Sequence, residues 1–134
     1  MDSRVKGRSY EYEVGSELLD QLGIQFRRDL EQVRTSGRRD LITDEYFPFL
    51  IECKRYKSGP FSKSWMAQAQ NAAKADDKIP VVIFRFDRQQ SQVAIKAGDL
   101  CVVFGYPRDE WDDLDGLVFM DIPTFCAFAR EVLK

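Results

Sequence analysis

Hydrophobic positions recur every four residues near the start of the chain, a spacing that predicts one buried face of an amphipathic helix over residues 7–22. These positions are Tyr10, Val14, Leu18 and Leu22. Gly23 follows directly, and glycine is common just past the end of a helix. The next segment, 24–34, mixes β-forming residues with arginines and predicts a short strand followed by a loop.

Two short apolar runs, 40–43 and 49–54, lie on either side of a turn-rich segment. Such a pair joined by a turn predicts a β-hairpin. A helix is predicted over about 62–76, and either Ser62 or Ser64 can cap its N-terminus.

The strongest strand signal is the apolar run 79–86, which predicts a buried central strand with 92–95 as its hairpin partner. No element is assigned to 99–118. Residues 122–133 predict a closing helix with Pro123 in its first turn. The order of helix, strands, helix, strands and helix predicts an α/β fold, with a mixed central β-sheet flanked by helices.

Composition limits the size and the compartment of this fold. The chain has 134 residues, of which 44% are hydrophobic and 31% charged, which is typical of one globular, soluble domain over 1–134. In that domain, 99–134 is expected to be a C-terminal extension packed on the core. The 3 cysteines are odd in number and widely spaced, so they indicate free thiols in the reducing cytoplasm. No run is long and apolar enough for a membrane helix.

The chain contains no histidine. This excludes Ser-His-Asp and Cys-His catalysis and every histidine-containing metal site. Hydrolytic chemistry must therefore use carboxylates, lysine, hydroxyls or thiols, together with a hard metal bound through oxygen.

Basic residues are concentrated in two segments, 27–39 and 54–63, although the net charge is −2. A basic face in the first half of the chain is therefore possible, and contact with nucleic-acid phosphates would use it. The candidate DNA-binding residues are Arg27, Arg28, Arg34, Arg38, Arg39, Arg55, Lys57 and Lys63.

Carboxylates and a lysine converge in the predicted hairpin. Glu52 and Lys54 are two residues apart, so they project to the same face of one strand, and a bend can bring Asp40 beside them. The first helix offers Glu11 or Glu13 as a further carboxylate. Two carboxylates about 4 Å apart repel by roughly 4 kcal/mol at an effective dielectric near 20, so such a cluster needs a cation. Mg²⁺, with Mn²⁺ as a substitute, is the natural counter-charge.

This ordered series resembles the PD-(D/E)XK nuclease superfamily. The matching elements are Gly7 to Glu11 as G-x-x-x-E, Asp40, Glu52-Cys53-Lys54 as E-x-K, and Trp65 to Ala69 as W-x-x-Q-A. The resemblance implies a restriction-endonuclease-like core. It implies that Asp40 and Glu52 bind the metal, with Glu11 and the backbone carbonyl of Cys53 as further ligands. Lys54 would be the catalytic lysine, and Gln68 would lie near the active site.

Within the superfamily, the spacing looks most like Holliday junction resolvases of archaeal type and related phage-encoded nucleases. This implies a Mg²⁺-dependent DNA endonuclease acting on branched or duplex DNA as a homodimer, in the cytoplasm of a bacterial or phage-infected host cell. A flap, nicking or restriction-like nuclease is the first alternative. A catalytically silent nucleic-acid-binding module is the second, and the intact set of Asp40, Glu52 and Lys54 argues against it. Trp65 is expected to be a buried helix anchor rather than a base-stacking surface.

Overall fold

The computed structural model describes residues 3–29, 40–107 and 114–134. Within these ranges, six strands form one sheet in sequential order, and four helices flank it. The strands are β1 (Arg27–Arg28), β2 (Leu41–Ile42), β3 (Phe49–Tyr56), β4 (Ile79–Phe86), β5 (Gln92–Lys96) and β6 (Leu117–Asp121). The helices are α1 (Ser3–Leu22), α2 (Lys63–Asp76), α3 (Ala97–Val103) and α4 (Ile122–Val132).

The centre of the sheet is a parallel pair, β3 and β4, with Glu52 opposite Val82. Parallel neighbours need a crossover connection, and α2 supplies it. The other neighbouring strands pair antiparallel, including the predicted hairpin, in which Leu41 lies opposite Ile51. The expectation of a mixed sheet flanked by helices is confirmed.

The two faces of the sheet pack against different helices because strand side chains alternate. One face contributes Ile51, Val81 and Ile83 to a core with α1 and α4. The opposite face contributes Val82 and Phe84 to a core with α2. Glu52 and Lys54 have the parity of Val82 and Phe84, so they lie on the α2 face.

Local capping explains two helix starts. Ser62 caps α2, and its side chain accepts a hydrogen bond from the Ser64 backbone N–H. Asp121 caps α4 in the same way through Thr124, with Pro123 in the first turn as predicted. In the described part of the chain, no helix has both the length and the apolar character needed to cross a membrane.

The structure differs from the sequence expectations at two places. Helix α1 begins at Ser3, four residues before the predicted start. The unassigned stretch 99–118 contains most of α3 and the start of β6. Neither is clear in the sequence, since α3 is only 7 residues long and the side chains of β6 are all partly exposed or exposed, without a buried face.

Candidate active site

Asp40 lies directly before β2, and its carboxylate reaches the backbone of β3. The Asp40 N–H donates to the Ile51 carbonyl at 3.2 Å, and Asp40 Oδ2 accepts a hydrogen bond of 2.6 Å from the Cys53 N–H. Strand β2 has only two residues, and the Asp40 backbone and side chain extend its hydrogen bonding to β3. This places the Asp40 carboxylate next to the Glu52-Cys53-Lys54 segment, as the sequence predicted.

The same geometry orients the backbone of Cys53. Backbone groups of successive strand residues point alternately to the two neighbouring strands. Ile51 bonds toward Asp40, so the N–H and C=O of Cys53 also point to that side, away from β4. The Cys53 carbonyl therefore faces the region of the Asp40 carboxylate, where it could serve as a ligand.

Lys54 is held by two neighbours on the α2 face. Its Nζ lies 3.3 Å from Glu52 Oε1 and donates a hydrogen bond of 2.8 Å to Gln68 Oε1. Gln68 comes from α2, so helix and strand together fix the ammonium group. The structure therefore places Gln68 beside Lys54.

Glu11 is the helix carboxylate that the structure brings to Asp40. Its Oε2 accepts a bond of 2.5 Å from Arg28 Nε. Burial raises the pKa of Glu11 to about 6, while Arg28 opposes this shift and the nearby Asp40 adds to it. Glu13 instead pairs with Arg85 at 2.9 Å on another side of α1. Of the two alternatives left open by the sequence, only Glu11 thus adjoins Asp40.

The raised pKa of Glu11 predicts that the metal-free protein loses stability as the pH rises from about 4.5 to about 6. The folded state holds the Glu11 proton up to about 6, whereas the unfolded chain releases it near 4.5, so binding of that proton favours folding only at low pH. The gap between these pKa values corresponds to about 2 kcal/mol of unfolding free energy. Denaturant unfolding in EDTA at about pH 4.5 and pH 7.5 measures it, and Glu11→Gln should lack this component. Identical pH profiles for the two proteins would contradict the assignment.

The donor atoms of this site fit a hard divalent cation. Glu11 is 8%, Asp40 8% and Glu52 5% exposed, so all three carboxyl groups are buried. In the described ranges, no three or more His, Cys, Asp or Glu side chains are arranged to hold a metal ion. Asp40 and Glu52 with the Cys53 carbonyl form a smaller set of two side chains and one backbone oxygen, and carboxylate and carbonyl oxygens are the donors that Mg²⁺ and Mn²⁺ prefer.

Comparison with known proteins identifies the family. Residues 2–104 match the model of a family described as "Phage putative PDDEXK endonuclease", which covers α1 to α3 and every residue of the site above. The chain belongs to this family. The acidic and basic residues around Asp40 are therefore residues of a phage PDDEXK endonuclease.

The fold of this family member is similar to that of the Holliday junction resolvase Hjc of Archaeoglobus fulgidus. The TM-score is 0.57 over 89% of this chain and 97% of the resolvase, at 14% sequence identity. At this identity, the similarity shows the fold alone. No curated protein matches the sequence.

The candidate DNA-binding residues of this PDDEXK endonuclease fall into different environments. Arg34, Arg38 and Arg39 lie outside the described residues. Lys57 and Lys63 are exposed. The two lysines are therefore available to a phosphate backbone as they stand.

The remaining candidates already contact carboxylates. Arg27 is exposed and pairs with Asp44 at 2.9 Å, an exchangeable surface contact. Arg28 forms an ion pair with Glu11, so its charge is already directed at a carboxylate of the site. Arg55 is mostly buried and pairs with Asp87 at 2.6 Å. A DNA contact by Arg55 would require it to leave this partner.

Sequence reasoning missed two features of the site. It assigned Arg28 to DNA and not to the control of Glu11, because that contact joins α1 to β1 and depends on tertiary packing. It also passed over Tyr56, which has the same parity as Glu52 and Lys54 on β3. The alternation that selected Glu52 and Lys54 could have found Tyr56 as well.

Proposed function

We propose that this protein is a Mg²⁺-dependent DNA endonuclease, with Mn²⁺ as a substitute, that resolves four-way DNA junctions. Its family of phage endonucleases supports phosphodiester hydrolysis. The observation that carries the proposal is the contact of Asp40 with the Cys53 backbone beside the Glu52–Lys54–Gln68 group. The fold similarity to a protein described as a Holliday junction resolvase favours a four-way junction over other DNA substrates.

Each residue of the site has a distinct task in this proposal. Asp40, Glu52 and the Cys53 carbonyl would hold the cation, and Glu11 would complete the acidic set from α1. A bound divalent cation supplies Lewis-acid stabilisation of the phosphate and favours ionisation of an attacking water. Lys54 would orient the water and stabilise negative charge on the phosphate oxygens. Gln68 would keep the Lys54 ammonium group directed at them.

We further propose that the enzyme acts as a homodimer on DNA in the cytoplasm of the infected or bacterial cell. Resolution of a four-way junction needs two symmetric cuts, and a two-fold dimer supplies two equivalent sites. In this arrangement, residues 99–134 are a C-terminal extension of a single nuclease domain. Its helix α4 packs against α1 on the face away from α2.

The test is a cleavage panel with labelled four-way junction, flap, duplex and single-stranded DNA. Each substrate is incubated with Mg²⁺, Mn²⁺ or EDTA. We expect paired cuts in the four-way junction with either metal and none in EDTA. Full cleavage in EDTA would contradict the metal mechanism. If only the flap or the duplex is cut, the protein is a flap, nicking or restriction-like nuclease and not a resolvase.

A further inference from the structure

An exposed aromatic ring extends the row of active-site residues on β3. Glu52, Lys54 and Tyr56 alternate along the strand and share its α2 face. The Tyr56 ring stacks on Trp65 with a centroid distance of 5.0 Å and an angle of 8°. Trp65 is 9% exposed, as expected for a helix anchor, whereas Tyr56 is 45% exposed. The ring accessible to a ligand is therefore that of Tyr56.

We propose that Tyr56 is a stacking platform for an unpaired or unstacked nucleobase of the DNA. The inference rests on the proposed function, because it requires that the substrate is DNA. It adds a determinant of substrate choice: DNA with an unstacked base close to the cut is favoured over continuous duplex.

The platform is anchored to the core through Trp65. Trp65 makes an edge contact with Phe61 at 5.1 Å and a tilted contact with Phe84 at 6.1 Å, so the ring beneath Tyr56 is fixed in the core. Because Trp65 covers one face of the Tyr56 ring, the exposed area comes from the opposite face, the ring edge and the backbone. A fixed ring loses little conformational entropy when a base stacks on it.

Basic residues lie close to the platform in the sequence, and the nearby Asp87 is already paired with Arg55. Lys57 and Lys63 are exposed, and no acidic residue occurs between Glu52 and Asp76 in the sequence. Proteins that bind single-stranded DNA combine such charge along the backbone with aromatic rings beneath the bases. The connecting loop is held close to the core at Gly59, where a Cβ would lie 2.9 Å from the Phe86 ring.

The distance from the catalytic residues suits a base near the cut. Tyr56 is two residues beyond Lys54 and four beyond Glu52, which corresponds to about 7 and 13 Å along a strand. A phosphate at Lys54 and Glu52 would therefore lie within a few nucleotides of a base at Tyr56.

The experiment compares binding of a duplex that carries a short single-stranded flap with binding of the fully paired duplex. Fluorescence anisotropy in EDTA measures both without cleavage. Tyr56→Ala should weaken binding of the flap DNA by about 5- to 100-fold and change duplex binding by less than about 2-fold. Tyr56→Phe should retain wild-type binding, because it keeps the ring. With 2-aminopurine in the flap, quenching on binding should be lost in Tyr56→Ala.

Two controls separate stacking from other effects. Tyr46→Ala removes a tyrosine that is 75% exposed and precedes β3, at the end opposite Tyr56, and it should leave both affinities unchanged. Tyr56→Leu keeps an apolar cover on Trp65, so it remains informative if the alanine variant fails to fold. It should also lose the preference for flap DNA and the quenching.

The proposal is wrong if Tyr56→Ala and Tyr56→Leu retain the wild-type ratio of flap to duplex affinity. It is also wrong if the variants change only the monomer–dimer equilibrium in sedimentation, since Tyr56 would then be a subunit contact. Failure of the proposed function gives a different result: no DNA is cut with metal, while flap binding in EDTA still depends on Tyr56.

Discussion

Asp40→Asn should lower the rate of junction cleavage by at least about 1,000-fold while DNA affinity stays equal to wild type or increases. The asparagine oxygen can still accept the Cys53 N–H, so the junction of β2 and β3 keeps its hydrogen bond. The variant loses the negative charge that would hold the cation. A bound cation stabilises the transition state by several kcal/mol. A loss of about 4 kcal/mol lowers the rate by about three powers of ten. Binding persists because the phosphates are contacted by basic residues, and loss of one carboxylate removes a repulsion. Single-turnover cleavage and anisotropy with the same labelled junction measure the two quantities.

A matched control is available four residues away. Asp44 is an exposed aspartate that pairs with Arg27, and Asp44→Asn makes the same chemical change outside the site. It should cut at close to the wild-type rate. Wild-type cleavage by Asp40→Asn, or an equal loss in Asp44→Asn, would show that the site has been assigned wrongly.

Glu11→Gln should lower the cleavage rate by at least about 100-fold, and Glu13→Gln should change it little. Glu11 adjoins Asp40 and is buried, so its charge acts directly on a cation or phosphate in the site. Loss of one preorganised electrostatic contributor has an effect on this scale. Single-turnover cleavage of the four-way junction by each variant provides the comparison.

Glu13 is the natural control because it lies on the same helix and receives the identical substitution. Its partner is Arg85, and the ion pair is partly exposed, so its loss should cost at most about 1 kcal/mol of folding stability. If Glu13→Gln is the inactive variant, the helix presents the other carboxylate to the metal. If both variants are fully active, Asp40, Glu52 and the Cys53 carbonyl suffice.

The sequence was most informative where one element buries a continuous apolar run or has an explicit cap. Strand β4 occupies 79–86 as predicted, since it is apolar except for Arg85 and lies at the centre of the sheet. Helix α2 starts after Ser62 because that serine caps it. Strand β6 escaped prediction since its residues are all at least partly exposed, so hydrophobic alternation leaves no clear trace there.

The site was predictable in its residue types but not in its contacts. The G-x-x-x-E, Asp and E-x-K elements indicated which carboxylates and lysine to expect, and period 2 on β3 placed Glu52 and Lys54 together. Periodicity alone could not choose between Glu11 and Glu13, which point about 200° apart on a helix. That choice depends on where β1 and β2 pack against α1, and the contacts of Glu11 with Arg28 and Asp40 supply it.

The proposed catalytic side chains all lie between Glu11 and Gln68. Strands β5 and β6 and helix α4 support them from the far edge of the sheet and from the back of α1. The proposed chemistry and the support of the sheet edge therefore come from different parts of the chain. In β5, β6 and α4, the inward-facing residues support the site by packing in the core, while the outward-facing residues carry none of its proposed chemistry. An extension or fusion attached to this outer surface should therefore leave the proposed cutting residues in place.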